Sequence, residues 1–420
     1  MHRLTRDFKV FQVITFLIMT TNRGAFFLLT WFSLPQGALF VSIIVGIYWW
    51  LYTLSMPFVG AVVDVGSKFK LSLIGAGVTF LAIANIFYAS HNPSNSNIVV
   101  STILLSAGAM VFTASSIGLS ALLVPNKMLL AKAFKVRGLT LSFTTFIGPG
   151  LGGVLLATIG YNGMSLMFIS LSLLALILYV LLPIDRKDPE SFTFSFSSWY
   201  MDTKAGFNAV RKIPTEYCIA LFMMLLNLFI TPFLSIALPL LVVEQYRFNS
   251  TELGVILALF GVGVILGSFI ITICNVKPER NFNLCLLSIL TLGISFVLSA
   301  ENPFYIEIYF LLFIAGVSVA LFNAIVTSSR ATAIPDEYRS RIETFVLFLA
   351  QISIPVGSSL CGVLIAWLGV NITIIIFGVC ILFASLLLNF VPKFRGLLTQ
   401  KIDDSHCIPY YQKEFPEAFR

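Results

Sequence analysis

Long apolar runs, separated by short polar or charged stretches, dominate the chain. A helix needs about 20 mostly apolar residues to cross the hydrocarbon core of a bilayer, and twelve runs come near or exceed that length. We number these predicted membrane spans 1 to 12 in chain order: 10–33, 37–63, 71–90, 98–123, 138–160, 163–183, 215–243, 250–275, 282–299, 304–328, 342–368 and 370–391. The pattern predicts an all-α polytopic membrane protein.

Basic residues fall between the runs and are concentrated on one side. With the N-terminus in the cytoplasm, nearly all of the 26 Lys and Arg residues lie in cytoplasmic segments, while Arg247 lies outside and Arg23 lies within span 1. Basic loops are retained in the cytoplasm. We therefore expect the protein to lie in a bacterial-type cytoplasmic (inner) membrane, with both termini in the cytoplasm. The net charge of +7 is then a topology signal and not a nucleic-acid surface.

Composition supports the membrane assignment and narrows the chemistry. Hydrophobic residues make up 58% of the chain and charged residues 11%, against about 25% charged in soluble domains. The six cysteines form no CxxC pair, and no His, Asp or Glu cluster lies deep in a span, so we predict neither a metal site nor a cofactor. The sequence has no nucleophile–base cluster and no Walker loop, which argues against an enzyme or an ATP-driven pump.

The longest polar break divides the predicted spans into six plus six. We predict an N-terminal six-helix bundle at 1–183, a cytoplasmic linker at 184–214, a C-terminal six-helix bundle at 215–391 and a cytoplasmic tail at 392–420. Within the linker, residues 198–213 fit either an amphipathic helix on the membrane surface or a solvated helix. We expect the polar tail to be poorly ordered.

The two halves repeat. The segment from Gly148 to Gly160 (GPGLGGVLLATIG) matches the segment from Gly357 to Gly369 (GSSLCGVLIAWLG), and an apolar residue followed by proline precedes each span. Parallel six-helix repeats are the build of secondary transporters, in which the substrate site lies near the midplane between the halves.

The loop between spans 2 and 3 resembles a loop motif of a known protein family. It reads GAVVDVGSKFK from Gly60 to Lys70 and resembles the G-x-x-x-D-R-x-G-R-K loop of the major facilitator superfamily, to which residues 5–392 are similar. The resemblance implies the major facilitator fold of two six-helix repeats and a charge latch made by Asp64 and Lys68. Valine and serine replace the family's arginine and glycine, so the alternative of a solvated turn stays open.

Span 5 carries a second family-like motif. Gly148, Pro149, Gly152 and Gly153 resemble the G-P-x-x-G-G motif of antiporters in the superfamily. Pro149 removes a backbone hydrogen bond and the glycines permit close helix approach. The resemblance implies a gating helix of an exporter; packing without a directional meaning is the alternative.

The loop before span 11 indicates a branch. Asp336, Glu337, Arg339 and Arg341, together with the segment 204–214, resemble the drug–proton antiporter branch with macrolide-efflux pumps and the enterobactin (siderophore) exporter. The resemblance implies that these four charges take part in gating.

Polar residues inside the spans are the candidates for cargo and proton binding. Arg23 is the only basic residue at mid-depth, so it either binds an anionic cargo or pairs within the protein. In the superfamily spans 1, 4, 7 and 10 line the cavity, which favours Asn22, Asn227 and Asn323; Gln351 in span 11 is a further candidate. Each of these side chains either lines the cavity or instead hydrogen-bonds a neighbouring helix. Glu307 and Glu244, near span ends, are either proton carriers or merely solvated.

These observations predict a secondary active transporter that works by alternating access. The leading hypothesis is a monomeric, proton-coupled exporter of a small amphipathic, anionic organic molecule, either a drug or a siderophore-like metabolite. Its partners would be this small molecule, protons and the lipid bilayer, with no nucleic acid. An uptake permease for an anionic nutrient or siderophore is the alternative, and a non-transporting membrane receptor is a remote one.

Overall fold

The computed structural model describes residues 4–92, 94–124, 127–182, 207–208, 210–273, 277–301, 306–400 and 409–418. All regular structure in these residues is helical. Spans 1 to 4 are the helices Arg6–Ser33, Ala38–Val65, Lys68–His91 and Asn95–Leu122, and Lys127–Val180 contains spans 5 and 6. Spans 7 to 12 begin with Pro214–Pro232 and continue with Ser250–Ile273, Asn281–Glu301, Glu307–Ala333, Asp336–Leu368 and Val370–Leu387.

One continuous helical segment supplies two of the predicted spans. Eleven helices among the described residues are long and apolar enough to cross a membrane, and one of them, Lys132–Val180, has 49 residues. That is about 70 Å of helix, more than twice the thickness of the hydrocarbon core at about 30 Å. The backbone leaves the helical conformation at Gly160 (φ 68°, ψ −179°), between predicted spans 5 and 6. The prediction of an all-helical fold with twelve spans is confirmed.

The backbone conformation and helix contacts also repeat between the two halves, at glycines that the sequence repeat aligns. Gly369, the counterpart of Gly160, has the same unusual conformation (φ 84°, ψ 166°) between spans 11 and 12. A Cβ on Gly148 would lie 3.1 Å from the Thr20 carbonyl of span 1, and a Cβ on its counterpart Gly357 would lie 2.1 Å from the Leu228 carbonyl of span 7. Equivalent glycines therefore allow equivalent close packing of span 5 on span 1 and of span 11 on span 7.

The chain divides into two compact units. Unit 1 comprises Met1–Phe194 and Val242–Ala258, and unit 2 comprises Ser195–Leu241 and Leu259–Arg420. The four-part division predicted above, with its linker and tail, stays a prediction. The linker residues 184–206 lie outside the described residues.

Unit 1 is built around span 1, which packs against spans 4 to 6, while span 4 also packs against spans 2 and 3. Its core includes Phe11, Phe112 and Tyr179, from spans 1, 4 and 6. Spans 3 and 4 approach closely because Gly75 lies against the Phe112 backbone, where a Cβ would be 2.5 Å from the amide nitrogen. Small residues favour such contacts in membranes, where lipid supplies no hydrophobic force between helices.

Unit 2 has span 7 packed against span 11, and span 9 packed against spans 10 and 12. Beyond Pro232, span 7 continues through π-helical turns at Phe233–Ala237 and Leu241–Gln245, with Leu238–Leu240 between them. Pro239 within this stretch lacks a backbone N–H and cannot complete an α-helical hydrogen bond, and wider π turns are a common way to accommodate such a break.

The described parts of the tail are ordered, contrary to expectation. Phe394–Thr399 and Tyr410–Glu414 are short helices, and residues 401–408 between them lie outside the described residues. The reason is local apolar patterning inside a polar segment: Phe394, Leu397, Leu398 and Tyr411 are all buried.

Candidate functional site

Arg23 is half-buried in span 1 and lies beside the glycine motif of span 5. A Cβ on Gly148 would meet the Arg23 Cβ at 2.6 Å, so the two helices touch at this level. Within the described part of the chain, the Arg23 guanidinium makes no hydrogen bond and no ion pair. A guanidinium carries a permanent positive charge and five donors, so Arg23 is available to an anion.

Asn22, next to Arg23, holds three helices together. Its Nδ2 donates to the Leu105 carbonyl of span 4 (3.1 Å), and its Oδ1 accepts from the Tyr48 hydroxyl of span 2 (3.0 Å). Asn22 is 1% exposed. Both ends of its amide are therefore engaged in packing, and its predicted contact with cargo stays a prediction.

Three aromatic rings of unit 1 pack together beside the part of span 1 that carries Arg23. The Tyr48 ring lies 4.3 Å from the Phe26 ring and stacks with the Tyr52 ring at 6.4 Å. Phe26 follows Arg23 by three residues, which places the two side chains on neighbouring positions of one helix face. Charge and aromatic surface thus occur together, as an amphipathic anion requires.

Unit 1 contains a second buried arginine, which the sequence did not identify as a candidate for cargo binding. Arg137, there counted among the loop charges, lies within the helix Lys127–Val180 and is 8% exposed. Its Nη2 donates to the Ser116 hydroxyl at 3.0 Å, and its Nε has no acceptor. No described carboxylate pairs with it. An uncompensated buried charge is costly, and an anion bound beside it would relieve that cost.

The unit 2 candidates differ in how much of their hydrogen-bonding capacity is free. Asn227 donates from Nδ2 to the Ala350 carbonyl of span 11 (2.9 Å). Gln351 is half-buried and its Oε1 accepts no hydrogen bond. Asn323 is exposed on span 10. All three side chains therefore keep at least one polar atom that could bind a cargo, and their predicted cargo contacts stay predictions.

The predicted proton carriers are both at the surface. Glu244 and Glu307 are exposed, near the ends of spans 7 and 10. Among the side chains that the structure describes, the buried carboxylate is Glu216, in the first turn of span 7, at 0% exposure. The proton-coupling role of Glu244 and Glu307 stays a prediction.

Glu216 belongs to a charge cluster at one end of unit 2. The Arg330 Nε donates to both of its oxygens (3.0 and 2.9 Å), and Arg330 Nη2 lies 2.8 Å from Oε2, off the hydrogen-bonding direction. Arg330 Nη1 also donates to Glu343 Oε2 at 3.3 Å. The Tyr411 hydroxyl donates to Glu216 Oε1 at 2.7 Å. We call these four residues the Glu216 cluster.

The glycine motif of span 5 presents two close-packed faces. Gly148 and Gly152 face span 1, where a Cβ on Gly152 would meet Phe27 at 3.0 Å. Gly153 faces the first turns of span 8: a Cβ there would lie 2.2 Å from the Ser250 carbonyl oxygen and 2.7 Å from the Gly254 Cα. The Ser250 hydroxyl donates to the Gly153 carbonyl at 3.2 Å. All these residues belong to unit 1, and the gating role of the motif, with Pro149, stays a prediction.

The predicted latch charges are only partly described. Lys68 is half-buried and its stem lies along Gly118 of span 4. The side chains of Asp64, Asp336, Glu337, Arg339 and Arg341 lie outside the described part of the structure. Among the described residues, no group of three or more His, Cys, Asp or Glu could hold a metal ion.

Comparison with known families decides what kind of protein this architecture belongs to. The model of the Major Facilitator Superfamily matches residues 12–272 and 217–401, which together cover nearly the whole chain. The chain belongs to the Major Facilitator Superfamily. A curated relative, the MFS-type transporter YvqJ of Bacillus subtilis (strain 168), is 24% identical over 159 residues. That match covers 38% of this chain and 37% of the relative, so the chain matches well under half the relative's length.

Solved structures share the fold of this superfamily member. A POT family transporter in complex with 5-aminolevulinic acid has a TM-score of 0.73 at 14% identity, covering 94% of this chain and 97% of its own. The nucleoside transporter NupG has a TM-score of 0.72 at 14% identity, covering 93% and 100%. A bacterial homologue of the human lysosomal transporter Spinster has a TM-score of 0.66 at 12% identity, covering 99% and 98%. These identities establish the fold alone.

As a superfamily member, the chain is a multi-pass membrane transporter of a small molecule and not an enzyme.

Sequence reasoning found Arg23 from its depth, but it missed the Glu216 cluster and Arg137. The available signal was weak: Glu216, Arg330 and Arg137 each lie within a few residues of a predicted span end, where loop and helix are hard to separate.

Proposed function

We propose that this transporter exports a small amphipathic organic anion in exchange for protons, by alternating access in a bacterial-type cytoplasmic membrane. The observation that carries the proposal is Arg23: a guanidinium in the middle of a membrane span with no hydrogen-bond or ion-pair partner among the described residues. Arginine binds carboxylates through paired, charge-assisted hydrogen bonds. Arg137 adds a second positive charge to the same unit, and the neighbouring rings of Phe26, Tyr48 and Tyr52 suit an apolar part of the cargo.

The proposed direction of transport, export from the cell, rests on the sequence motifs. The G-P-x-x-G-G motif of span 5 and the loop before span 11 resemble exporters of the drug–proton antiporter branch, which favours a drug or a siderophore-like metabolite as cargo. The proposal includes cytoplasmic termini and a monomer. Uptake of an anionic nutrient would use the same Arg23, and the departures of the loop between spans 2 and 3 from the family pattern keep it as the second candidate.

Comparative metabolite profiling tests the proposal. Anionic metabolites are quantified in cytoplasm and medium of cells that lack the gene or express wild-type protein, Arg23→Ala, or Arg6→Ala. Arg6 is an exposed arginine of the same helix and controls for loss of a positive charge. We expect an anion to accumulate in deletion cells and to be released by wild type and Arg6→Ala, but not by Arg23→Ala.

Two outcomes would overturn the proposal. Full release through Arg23→Ala would remove Arg23 from the cargo site. An anion that stays in the medium of deletion cells, and is consumed only when the protein is present, would make the protein an importer.

A further inference from the structure

The C-terminal segment is built into one end of unit 2. We call Pro392–Gln400 and Pro409–Ala418 the strap, and the end of unit 2 where spans 7 and 11 begin the tail-side end. The Thr215 hydroxyl of span 7 donates to the Pro392 carbonyl at 2.7 Å. Asn281, at the start of span 9, donates to the Leu398 carbonyl at 3.1 Å. The Gln400 amide donates to the Ser329 carbonyl of span 10 at 2.8 Å. The first part of the strap thus touches three spans.

The two parts of the strap hold each other. Lys393 forms an ion pair with Glu414 and lies over the Phe415 ring, 4.8 Å from its centroid. The Tyr410 hydroxyl donates to the Lys393 carbonyl at 3.2 Å. These contacts are exposed, so each contributes little by itself. Their combined effect is to place Tyr411 against unit 2.

Tyr411 is the point at which the strap enters the core. Its side chain is 0% exposed, and its hydroxyl reaches Glu216, which is also 0% exposed. Burial, and next the Glu216 carboxylate, raise the pKa of Tyr411 well above its usual value. The hydroxyl therefore remains a donor throughout the physiological range. Tyr411 both completes the hydrogen bonding of the carboxylate and keeps water from it.

The ion pair beneath Tyr411 joins the ends of three spans. Glu216 is in the first turn of span 7, Arg330 in the last turn of span 10 and Glu343 in span 11. Attraction between buried charges is strong because the local dielectric constant is low, and it weakens when water enters. In the family that this chain belongs to, spans 7 and 10 line the transport cavity. The spacing of two cavity-lining helices therefore depends on a pair that the strap covers.

We propose that Tyr411 is a positioning residue for transport: docking of the strap completes the Glu216–Arg330 pair, and the docked strap fixes the ends of spans 7 and 10 in the arrangement that transport needs. Undocking loosens these ends and slows the cycle. The predicted cargo residues Arg23, Asn227 and Asn323 make none of the strap contacts given above, so the apparent affinity for cargo should not change. The inference rests only on the chain being a transporter and holds for either direction.

Hydrogen–deuterium exchange on the purified full-length protein is the decisive test. Tyr411→Phe keeps the ring and removes one hydrogen bond to a charged group, which shifts the docking equilibrium by about tenfold or more. We expect faster exchange, by a similar factor, at the tail-side ends of spans 7 and 10, and faster trypsin cleavage after Arg395 within the strap. Tyr217→Phe is the matched control, because Tyr217 neighbours Glu216 but is 36% exposed. Exchange in Tyr411→Phe equal to that of wild type at both span ends would overturn the proposal.

A double-mutant cycle shows whether Tyr411 acts through Glu216 or by general packing. Glu216→Gln removes the charge that Tyr411 serves, and coupled residues give non-additive effects. We expect Tyr411→Phe to have much less effect on exchange when Glu216→Gln is already present. Simple additivity would contradict action through Glu216.

Transport is read in cells from the release of their own anionic metabolites, quantified by mass spectrometry at several internal concentrations. We expect Tyr411→Phe to lower the maximal rate and leave the half-saturating concentration unchanged, with Tyr217→Phe like wild type. An altered half-saturating concentration at an unchanged rate would overturn the assignment. The two proposals fail separately. If the release of no anion depends on the protein, the proposed function is wrong, while the hydrogen–deuterium exchange result still tests the role of the strap.

Discussion

The contact of Gly153 with span 8 gives a prediction whose size follows from the structure. In Gly153→Ala the new methyl group would lie 2.2 Å from the Ser250 carbonyl oxygen and 2.7 Å from the Gly254 Cα, where ordinary contacts begin at 3.4 Å. Ser250 therefore has to move by about 1 Å, which breaks its hydrogen bond to the Gly153 carbonyl. Overpacking of this kind costs about 1–3 kcal/mol, and we expect a value near the upper end because the opposing atoms are backbone.

A second glycine of the same helix separates this cost from helix propensity. A Cβ on Gly138 would meet nothing within 4 Å, and both alanine variants gain about 1 kcal/mol of helix propensity. The difference between them is the steric term. We expect thermal unfolding of purified protein, followed by tryptophan fluorescence, to give a clearly lower Tm for Gly153→Ala than for Gly138→Ala. Equal Tm values would refute the close packing of spans 5 and 8.

Three further predictions concern buried polar groups. Glu216→Ala should destabilise the protein by about 3–5 kcal/mol, because Arg330 loses its buried partner; an unchanged Tm would contradict this. Tyr411 has a raised pKa in the folded state, so its stabilisation is present below pH 10 and is lost as the pH rises further, by up to about 1.4 kcal/mol per pH unit. Wild type should therefore lose Tm more steeply above pH 10 than Tyr411→Phe, and parallel curves would count against the buried hydroxyl. Asn22→Val should lower Tm through the loss of about 1 kcal/mol, since the Tyr48 hydroxyl and Leu105 carbonyl lose their partner; a raised half-saturating cargo concentration at an unchanged Tm would favour a cargo contact instead.

The fold could be predicted largely because the bilayer imposes simple rules on sequence. Span length and the repeat between Gly148 and Gly357 are local or periodic signals, and both reappear as helix bounds and as paired close contacts. Gly160 and Gly369 were part of the aligned segments, although their positive φ only became visible in the structure. Local signals of this kind do not require knowledge of which helices touch.

The polar network could not be predicted, because its members are far apart in sequence. Tyr411 and Glu216 are separated by 195 residues, and nothing in the tail's polar composition distinguishes Tyr411 from its neighbour Tyr410. Arg330 lies two residues beyond predicted span 10, where it counts as a loop charge, yet the helix continues to Ala333 and buries it. For Asn22, depth correctly indicated a buried polar group, but only the structure shows that Leu105 and Tyr48 engage it.

The central claim, that Arg23 holds an anion on its way out of the cell, is tested most directly in everted membrane vesicles. Vesicles are prepared from cells expressing wild type, Arg23→Ala or Arg6→Ala. Their lumen is made more acidic than the medium, and the anionic metabolite fraction of deletion cells is added to the medium. We predict that wild-type and Arg6→Ala vesicles accumulate an anion and that Arg23→Ala vesicles do not. Accumulation by Arg23→Ala vesicles at the wild-type rate, or uptake only by vesicles of the opposite orientation, would contradict the account.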